Sequence, residues 1–187
     1  MLKIAIITGS TRPMRINRKV AEWVYSVAKM QSDAIFELVD IADYNLPMFD
    51  EPLPPILGEY RQEHTKIWSQ KIADFDGFVF VTPEYNHSIT GVLKNAIDFL
   101  YSEWNNKSAG FVSYGATGGL RAIEHLRLIL SEVQIAHVRP QTSLSLYDDF
   151  RNFESIAPRP FQLRSLNEML ELVLLWAQAF KDIRTKH

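Results

Sequence analysis

The chain has 187 residues, enough to bury one sizeable core, and its 47% hydrophobic and 22% charged content is that of a globular protein. With 20 basic and 22 acidic side chains the formal charge is −2, so no basic field favours nucleic acid or an anionic membrane surface. The absence of cysteine excludes disulfides, thiolate metal sites and cysteine nucleophiles together, and it is compatible with a reducing compartment.

The apolar N-terminal segment, Met1 to Thr8, is too short to span a membrane. It also lacks the basic n-region and cleavage signal of a secretory peptide, and the expectation is a cytoplasmic protein. Ile4 to Thr8 is rich in β-branched residues and reads as a strand covered on both faces. Gly9 to Asn17 breaks it, and from about Arg18 to Met30 the residues Val20, Ala21, Val24, Val27 and Ala28 recur at helical spacing. Ile35 to Asp40 is a second strand. Four prolines between Tyr44 and Pro55 predict an extended surface loop. A helix follows from about Gln62 to Phe75, with Ile67, Trp68 and Ile72 inward.

Gly77 to Thr82 is a third strand, stopped by Pro83, and a helix runs from about Gly91 to Tyr101. Ala109 to Ser113 is a fourth strand; the glycine-rich Gly115 to Gly119 then opens a helix to about Val133. Ala136 to Val138 is a short fifth strand. A last helix, from about Phe161 to Ile183, carries Leu166, Leu170, Val173, Leu174, Ala177 and Phe180 on one stripe. Strand alternating with helix predicts an α/β fold, a parallel sheet with helices on both faces and right-handed crossovers. No repeat or linker interrupts it, so residues 1–187 read as one domain.

In such a sheet a ligand binds beyond the carboxyl ends of the strands, near the point where the strand order reverses. Three loops leave strand ends with unusual chemistry, and they converge if strands one, three and four are neighbours. The first, Thr8 to Asn17, offers Gly9 for close backbone approach, Ser10, Thr11 and Asn17 as donors, and Arg12 and Arg15 as fixed charge ahead of a helix N-terminus. It reads either as an anion cradle or as an ordinary N-capped turn; it is neither a Walker A loop nor a G-x-G-x-x-G turn.

The second loop, Thr82 to Gly91, combines Tyr85 with many polar groups, which suits the flat wall and polar edge of a planar heterocycle; Tyr85 equally suits a subunit contact. For Glu84 a structural salt bridge is favoured over a catalytic base. His87 has no spaced His, Asp or Glu companion, so no metal site is expected. In the third loop, Gly118-Gly119 either frees backbone N–H groups to face a developing negative charge, as on a reduced flavin, or simply allows close helix packing. Tyr101, Trp104, Phe150 and Phe153 are candidates for a subunit interface or for core.

Taken together, Gly9-Ser10-Thr11-Arg12-Pro13, the run from Thr82 to Ser88 with Gly91-Val92-Leu93-Lys94-Asn95-Ala96-Ile97-Asp98, and Gly118-Gly119-Leu120-Arg121-Ala122 resemble the NADPH-dependent FMN reductase family, which includes azoreductase and quinone reductase members. The resemblance covers Leu2 to about Val138. It implies a flavodoxin-like three-layer fold with a five-stranded parallel sheet of order 2-1-3-4-5, FMN as cofactor, and a homodimer or homotetramer. It further implies that Ser10, Thr11, Arg12, Arg15 and Asn17 hold the FMN phosphate. Pro83, Glu84, Tyr85, Asn86 and Ser88 then lie along the ring and ribityl chain, mainly through backbone, and Tyr114, Gly115, Gly118 and Gly119 border the other side. Asn17 stands where many members have serine, Thr90 where proline is common, and Phe99 where tryptophan is common.

The implied chemistry is a ping-pong cycle in which NADPH, or NADH, gives hydride to flavin N5 and a small-molecule acceptor then takes the electrons; no side chain is expected to be catalytic. Candidate acceptors are free flavin, a quinone, an azo or nitro compound, or a metal ion. A non-catalytic electron carrier and a cofactor-free regulatory protein on the same fold are the alternatives.

Overall fold

The computed structural model describes residues 1–31 and 34–186. Five strands, β1 (Leu2–Thr8), β2 (Ala34–Asp40), β3 (Gly77–Pro83), β4 (Lys107–Gly115) and β5 (Ile135–His137), pair in the order β2-β1-β3-β4-β5, every pair parallel. Between them lie α1 (Asn17–Ala28), α2 (Glu63–Ala73), α3 (Gly91–Asp98) and α4 (Leu120–Glu132). After β5 come β6 (Thr142–Ser145), the small antiparallel hairpin β7 (Phe150–Arg151) and β8 (Ser155–Ile156), and the long α5 (Pro160–Arg184).

The strands read as continuous apolar runs because successive side chains enter two different cores. Ala5, Ile7, Phe78, Phe80 and Phe111 meet Trp68 of α2, Leu93 of α3 and Leu126 of α4 on one face. Ile4, Ile6, Val79, Val81 and Val112 meet Val20 and Val24 of α1 and Leu166 and Leu170 of α5 on the other. Each such large side chain contributes about 1.5–3 kcal/mol by leaving water. Gly110 has a packing reason: a Cβ there would lie 2.7 Å from Met169 Sδ and 2.8 Å from Val173 Cγ2, so glycine lets α5 settle directly on β4.

The strand order is the expected one, and three details differ from the sequence reading. The outer edge of β4 holds two short strands in succession, β5 and then β6, where one is expected; β6 pairs in register from Val112↔Thr142 to Gly115↔Ser145. Pro140, with no N–H to donate, falls in the gap between them. Ile67 is 50% exposed, and α2 instead buries Thr65, Trp68 and Ile72. The proline-rich loop contains two short 3-10 turns, Ile41–Tyr44 and Pro55–Leu57. Trp104 and Phe150 are core residues, so neither offers a surface to a second subunit; Phe153 is exposed. No helix among the described residues is long and apolar enough to cross a membrane.

Candidate functional site

Because β1 lies beside β3, and β3 beside β4, the three loops expected to carry chemistry leave adjacent strand ends. Gly9 N–H donates to the Val81 carbonyl at 2.7 Å, and a Cβ on Gly9 would lie 2.8 Å from that oxygen, so only glycine lets the first loop lie this close to β3. Glu84 N–H donates to Tyr114 O at 3.0 Å and carries the β3–β4 pairing into the second loop.

The helix N-termini at this end of the sheet differ in what satisfies them. Those of α3 and α4 are taken. Thr90 Oγ1 accepts from Leu93 N–H at 3.1 Å as the N-cap of α3, and its hydroxyl donates to Gly9 O at 2.5 Å, tying the second loop to the first. Glu84 accepts from Arg121 N–H at 3.2 Å and Ala122 N–H at 3.4 Å at the start of α4, and it is ion-paired with the Arg121 guanidinium. Helix α1, in contrast, has Ile16 at its N-cap, no side-chain cap and no acidic residue in its first turn. Its free N–H groups and positive dipole end remain available for an anion.

Around that end stand Arg12, Arg15 and Arg18. The Arg12 guanidinium has no partner among the described residues and lines the crevice with Ser10 and Thr11. Arg15 and Arg18 reach back to the buried Asp40 at the end of β2, at 2.5 and 3.1 Å. Burial pushes the Asp40 carboxyl up, but hydrogen bonds from Thr8, Ala42 N–H and the two arginines outweigh it and hold it below the usual carboxylate range. Three guanidiniums against two carboxylates, Asp40 and the Glu22 that pairs with Arg18 at 3.0 Å, leave the cradle with one cation in excess. Arg15, grouped with Arg12 in the sequence reading, is therefore committed to Asp40 by one end of its fork. Asn17 is fully buried and donates from Nδ2 to Val81 O at 2.9 Å, while its Oδ1 has no partner.

The second loop is a tight turn. Tyr85 and Ser88 exchange backbone hydrogen bonds of 2.9 and 3.1 Å, and Asn86 and His87 between them both take positive φ, 47° and 74°. Tyr85 thereby points back over the first loop, its hydroxyl 3.2 Å from Ser10 Oγ. Pro83 is buried at the end of β3, and Ser88 Oγ is hydrogen bonded to His125 Nδ1 at 2.9 Å. For Glu84, burial raises the pKa while the Arg121 side chain and the α4 N–H groups lower it further, so the carboxyl stays below its ordinary range. Glu84 forms the structural salt bridge that the sequence reading favours.

The third loop corrects one expectation. Gly118 N–H is not free to face a ligand, because it donates to Gly115 O at 3.1 Å. Positive φ at Gly118 and Gly119, 78° and 74°, folds the loop back so that the Gly118 carbonyl accepts from Ser113 and Ser143 at 2.7 and 2.6 Å. The buried Tyr114 packs against Phe150, ring centroids 5.9 Å apart; burial raises its phenol pKa, and Asn17, Arg12 and Arg15 lie near enough to oppose the shift. Tyr114 thus joins the first loop's polar groups from the β4 side.

A pocket of about 400 Å³ opens beside the cradle, between Ser10, Thr11 and Arg12 on one side and Leu46, Pro47, Met48, Val92 and Asn95 on the other, with Tyr85 at its edge. A smaller one of about 320 Å³ adjoins it and shares Thr11, Leu46, Val92 and Asn95. Leu46 to Met48 and Asn95 were not singled out as site residues from the sequence; the proline-rich composition of the loop hides that it returns to the crevice. Among the described residues no cluster of His, Cys, Asp or Glu is placed to hold a metal ion.

The NADPH-dependent FMN reductase family profile matches residues 2–149. The chain belongs to this family. Among its relatives, an NAD(P)H-dependent FMN reductase of Schizosaccharomyces pombe is 44% identical over 146 residues, covering 76% of this chain and 73% of the relative. A 2-hydroxy-1,4-benzoquinone reductase of a Burkholderia species is 34% identical over 157 residues, covering 80% and 81%. Among solved structures, FerB, an NAD(P)H:(acceptor) oxidoreductase of Paracoccus denitrificans, superposes with a TM-score of 0.70 at 21% identity over 97% of this chain and 98% of its own, which establishes a shared fold. As a member of the FMN reductase family the chain is an oxidoreductase of the flavin and NAD(P)H type.

Proposed function

We propose that this FMN reductase passes electrons from NADPH to a small quinone or free flavin in two separated half-reactions, with azo and nitro compounds and oxidising metal ions as further acceptors. The observation that carries the reading is the open N-terminus of α1. Of the helices that start from the three loops, it alone lacks a protein cap, and the unpaired Arg12 stands beside it. A phosphate monoester matches this donor set in charge and hydrogen bonding.

Bound FMN supplies the redox chemistry, accepting hydride from the nicotinamide and releasing the electrons to the acceptor. The chain binds and orients. Ser10, Thr11 and Arg12 with the α1 N–H groups hold the phosphate, and Arg15 and Asn17 shape the cradle around it. Pro83, Glu84, Asn86 and Ser88 present backbone along the ring edge, with Tyr85 as a flat wall over the ribityl side. Tyr114, Gly115, Gly118 and Gly119 close the β4 side by shape. Glu84, the one carboxylate in the second loop, is occupied by α4 and Arg121, so the chain needs no acid or base of its own for hydride transfer. The same reading carries a homodimer or homotetramer; the exposed, edge-to-face Tyr147–Phe153 pair is an apolar surface suited to a second copy.

Initial rates measured over a grid of NADPH and a naphthoquinone should give parallel double-reciprocal lines, since one product leaves before the second substrate enters. Lines that converge contradict the two-step scheme.

A further inference from the structure

The close approach of the first loop to β3 requires glycine at position 9, yet glycine by itself leaves the peptide that follows it free to rotate. Here that freedom is removed at both of its polar groups. Gly9 N–H is held by Val81 O at 2.7 Å, and Gly9 O accepts from the Thr90 hydroxyl at 2.5 Å. Both partners are fixed. Val81 lies within β3, and Thr90 is 2% exposed at the N-cap of α3, where the same oxygen accepts from Leu93 N–H at 3.1 Å. Only a hydroxyl can do this double duty, because one atom must both donate to the carbonyl and accept from the helix.

The consequence falls on Ser10. In a trans peptide the C=O and the N–H point in opposite directions, so the bond to Gly9 O also sets the direction of the Ser10 N–H, away from Thr90. Ser10 is 1% exposed, and its N–H has no partner among the described residues. A buried N–H of this kind is completed by water or by a ligand. From Ser10 the constraint passes along the loop: its Oγ accepts from Arg12 N–H at 3.3 Å and lies 3.2 Å from the Tyr85 hydroxyl. Without the Thr90 hydroxyl the buried Gly9 carbonyl loses its partner, and the glycine can turn the peptide to find another.

We propose that Thr90 is a positioning residue for phosphate recognition: by holding Gly9 O it aims the Ser10 N–H, and with it the Ser10 hydroxyl and the start of the Arg12 segment, at the phosphate of FMN. The inference rests on the phosphate reading of the first loop given above. Thr90 touches no phosphate itself. Loss of its hydroxyl costs the phosphate contacts and spares those to the flavin ring.

The test uses the full-length, flavin-free protein titrated with FMN and, separately, with riboflavin, which lacks the phosphate. Thr90→Val, similar in shape but without the hydroxyl, is expected to weaken FMN binding about tenfold and to leave riboflavin binding within about twofold. Thr90→Ser, which keeps the hydroxyl, should bind FMN within about twofold of the parent. A Thr90→Val variant that loses FMN and riboflavin affinity equally makes Thr90 the cap of α3 alone and overturns the inference while the phosphate reading stands. Parental FMN affinity in Thr90→Val overturns it equally. A second measurement needs no variant to fold: in the ¹⁵N-labelled parent the Ser10 amide proton should move downfield when FMN binds, and a resonance that FMN leaves unmoved overturns the inference. Parent protein that binds FMN no more tightly than riboflavin removes the phosphate reading itself, and the inference with it.

Discussion

Arg12→Ala should weaken FMN binding about tenfold to a hundredfold, the loss expected for about 1.5–3 kcal/mol of charged hydrogen bonding. The magnitude follows from where the side chain stands. Its guanidinium lines the crevice beside Ser10 and Thr11 and has no partner among the described residues, so no side-chain contact in the fold depends on it. The flavin-free variant should therefore melt with the parent. Riboflavin, which lacks the phosphate, should bind parent and variant alike. Titration of flavin fluorescence measures all three, and an FMN affinity unchanged in Arg12→Ala removes the phosphate assignment. Arg15→Ala is the informative contrast, because Arg15 is joined to Asp40 at 2.5 Å and its loss exposes a buried carboxylate to imbalance.

Gly119→Ala should destabilise the fold by about 3 kcal/mol, combining left-handed strain with overpacking. Gly119 has φ of 74°, and a Cβ there would lie 2.8 Å from Ser113 Cβ and 3.0 Å from Tyr114 N, groups fixed within β4. The loop cannot yield without pulling Tyr114 and the start of α4 out of place, so FMN affinity should fall as well. Gly91→Ala is the matched control: no atom lies within 4 Å of its added Cβ, and its effect on stability should be slight. Chemical denaturation of the three proteins measures the difference. Equal stability of Gly119→Ala and parent contradicts the account of the third loop.

How far the sequence announced this arrangement depends on what kind of signal each part leaves. Strands buried on both faces leave unbroken apolar runs, and Ile4 to Thr8 or Gly77 to Thr82 are legible for that reason. The 2-1-3-4-5 order came from the resemblance and is the observed one. β6 was missed because Thr-Ser-Leu-Ser has little apolar content and is a strand only because β4 offers it a free edge. Ile67 sits one position off the buried stripe of α2 despite its apolar side chain, and Thr65 fills the buried position instead.

The site was legible where it is local. Ser10, Arg12 and Tyr85 announce themselves by residue type beside a strand end. Partners distant in sequence were not: Asp40 as the counter-charge to Arg15 and Arg18, Glu84 as the cap of α4, and Asn95 as a donor to Pro47 O all depend on contacts between elements. Thr90 illustrates the same limit. Noted only as a departure from proline, it caps α3 and also ties two loops together through Gly9 O. Gly118 was expected to free its N–H, whereas two serine hydroxyls on its carbonyl fold that N–H inward.

The central claim is that this chain uses bound FMN to take electrons from a nicotinamide. Mixing the FMN-loaded protein with NADPH under anaerobic conditions in a stopped-flow spectrometer tests it most directly. The visible flavin band should bleach rapidly and return when a quinone is added. A band that persists, or a protein that takes up no FMN, contradicts the account.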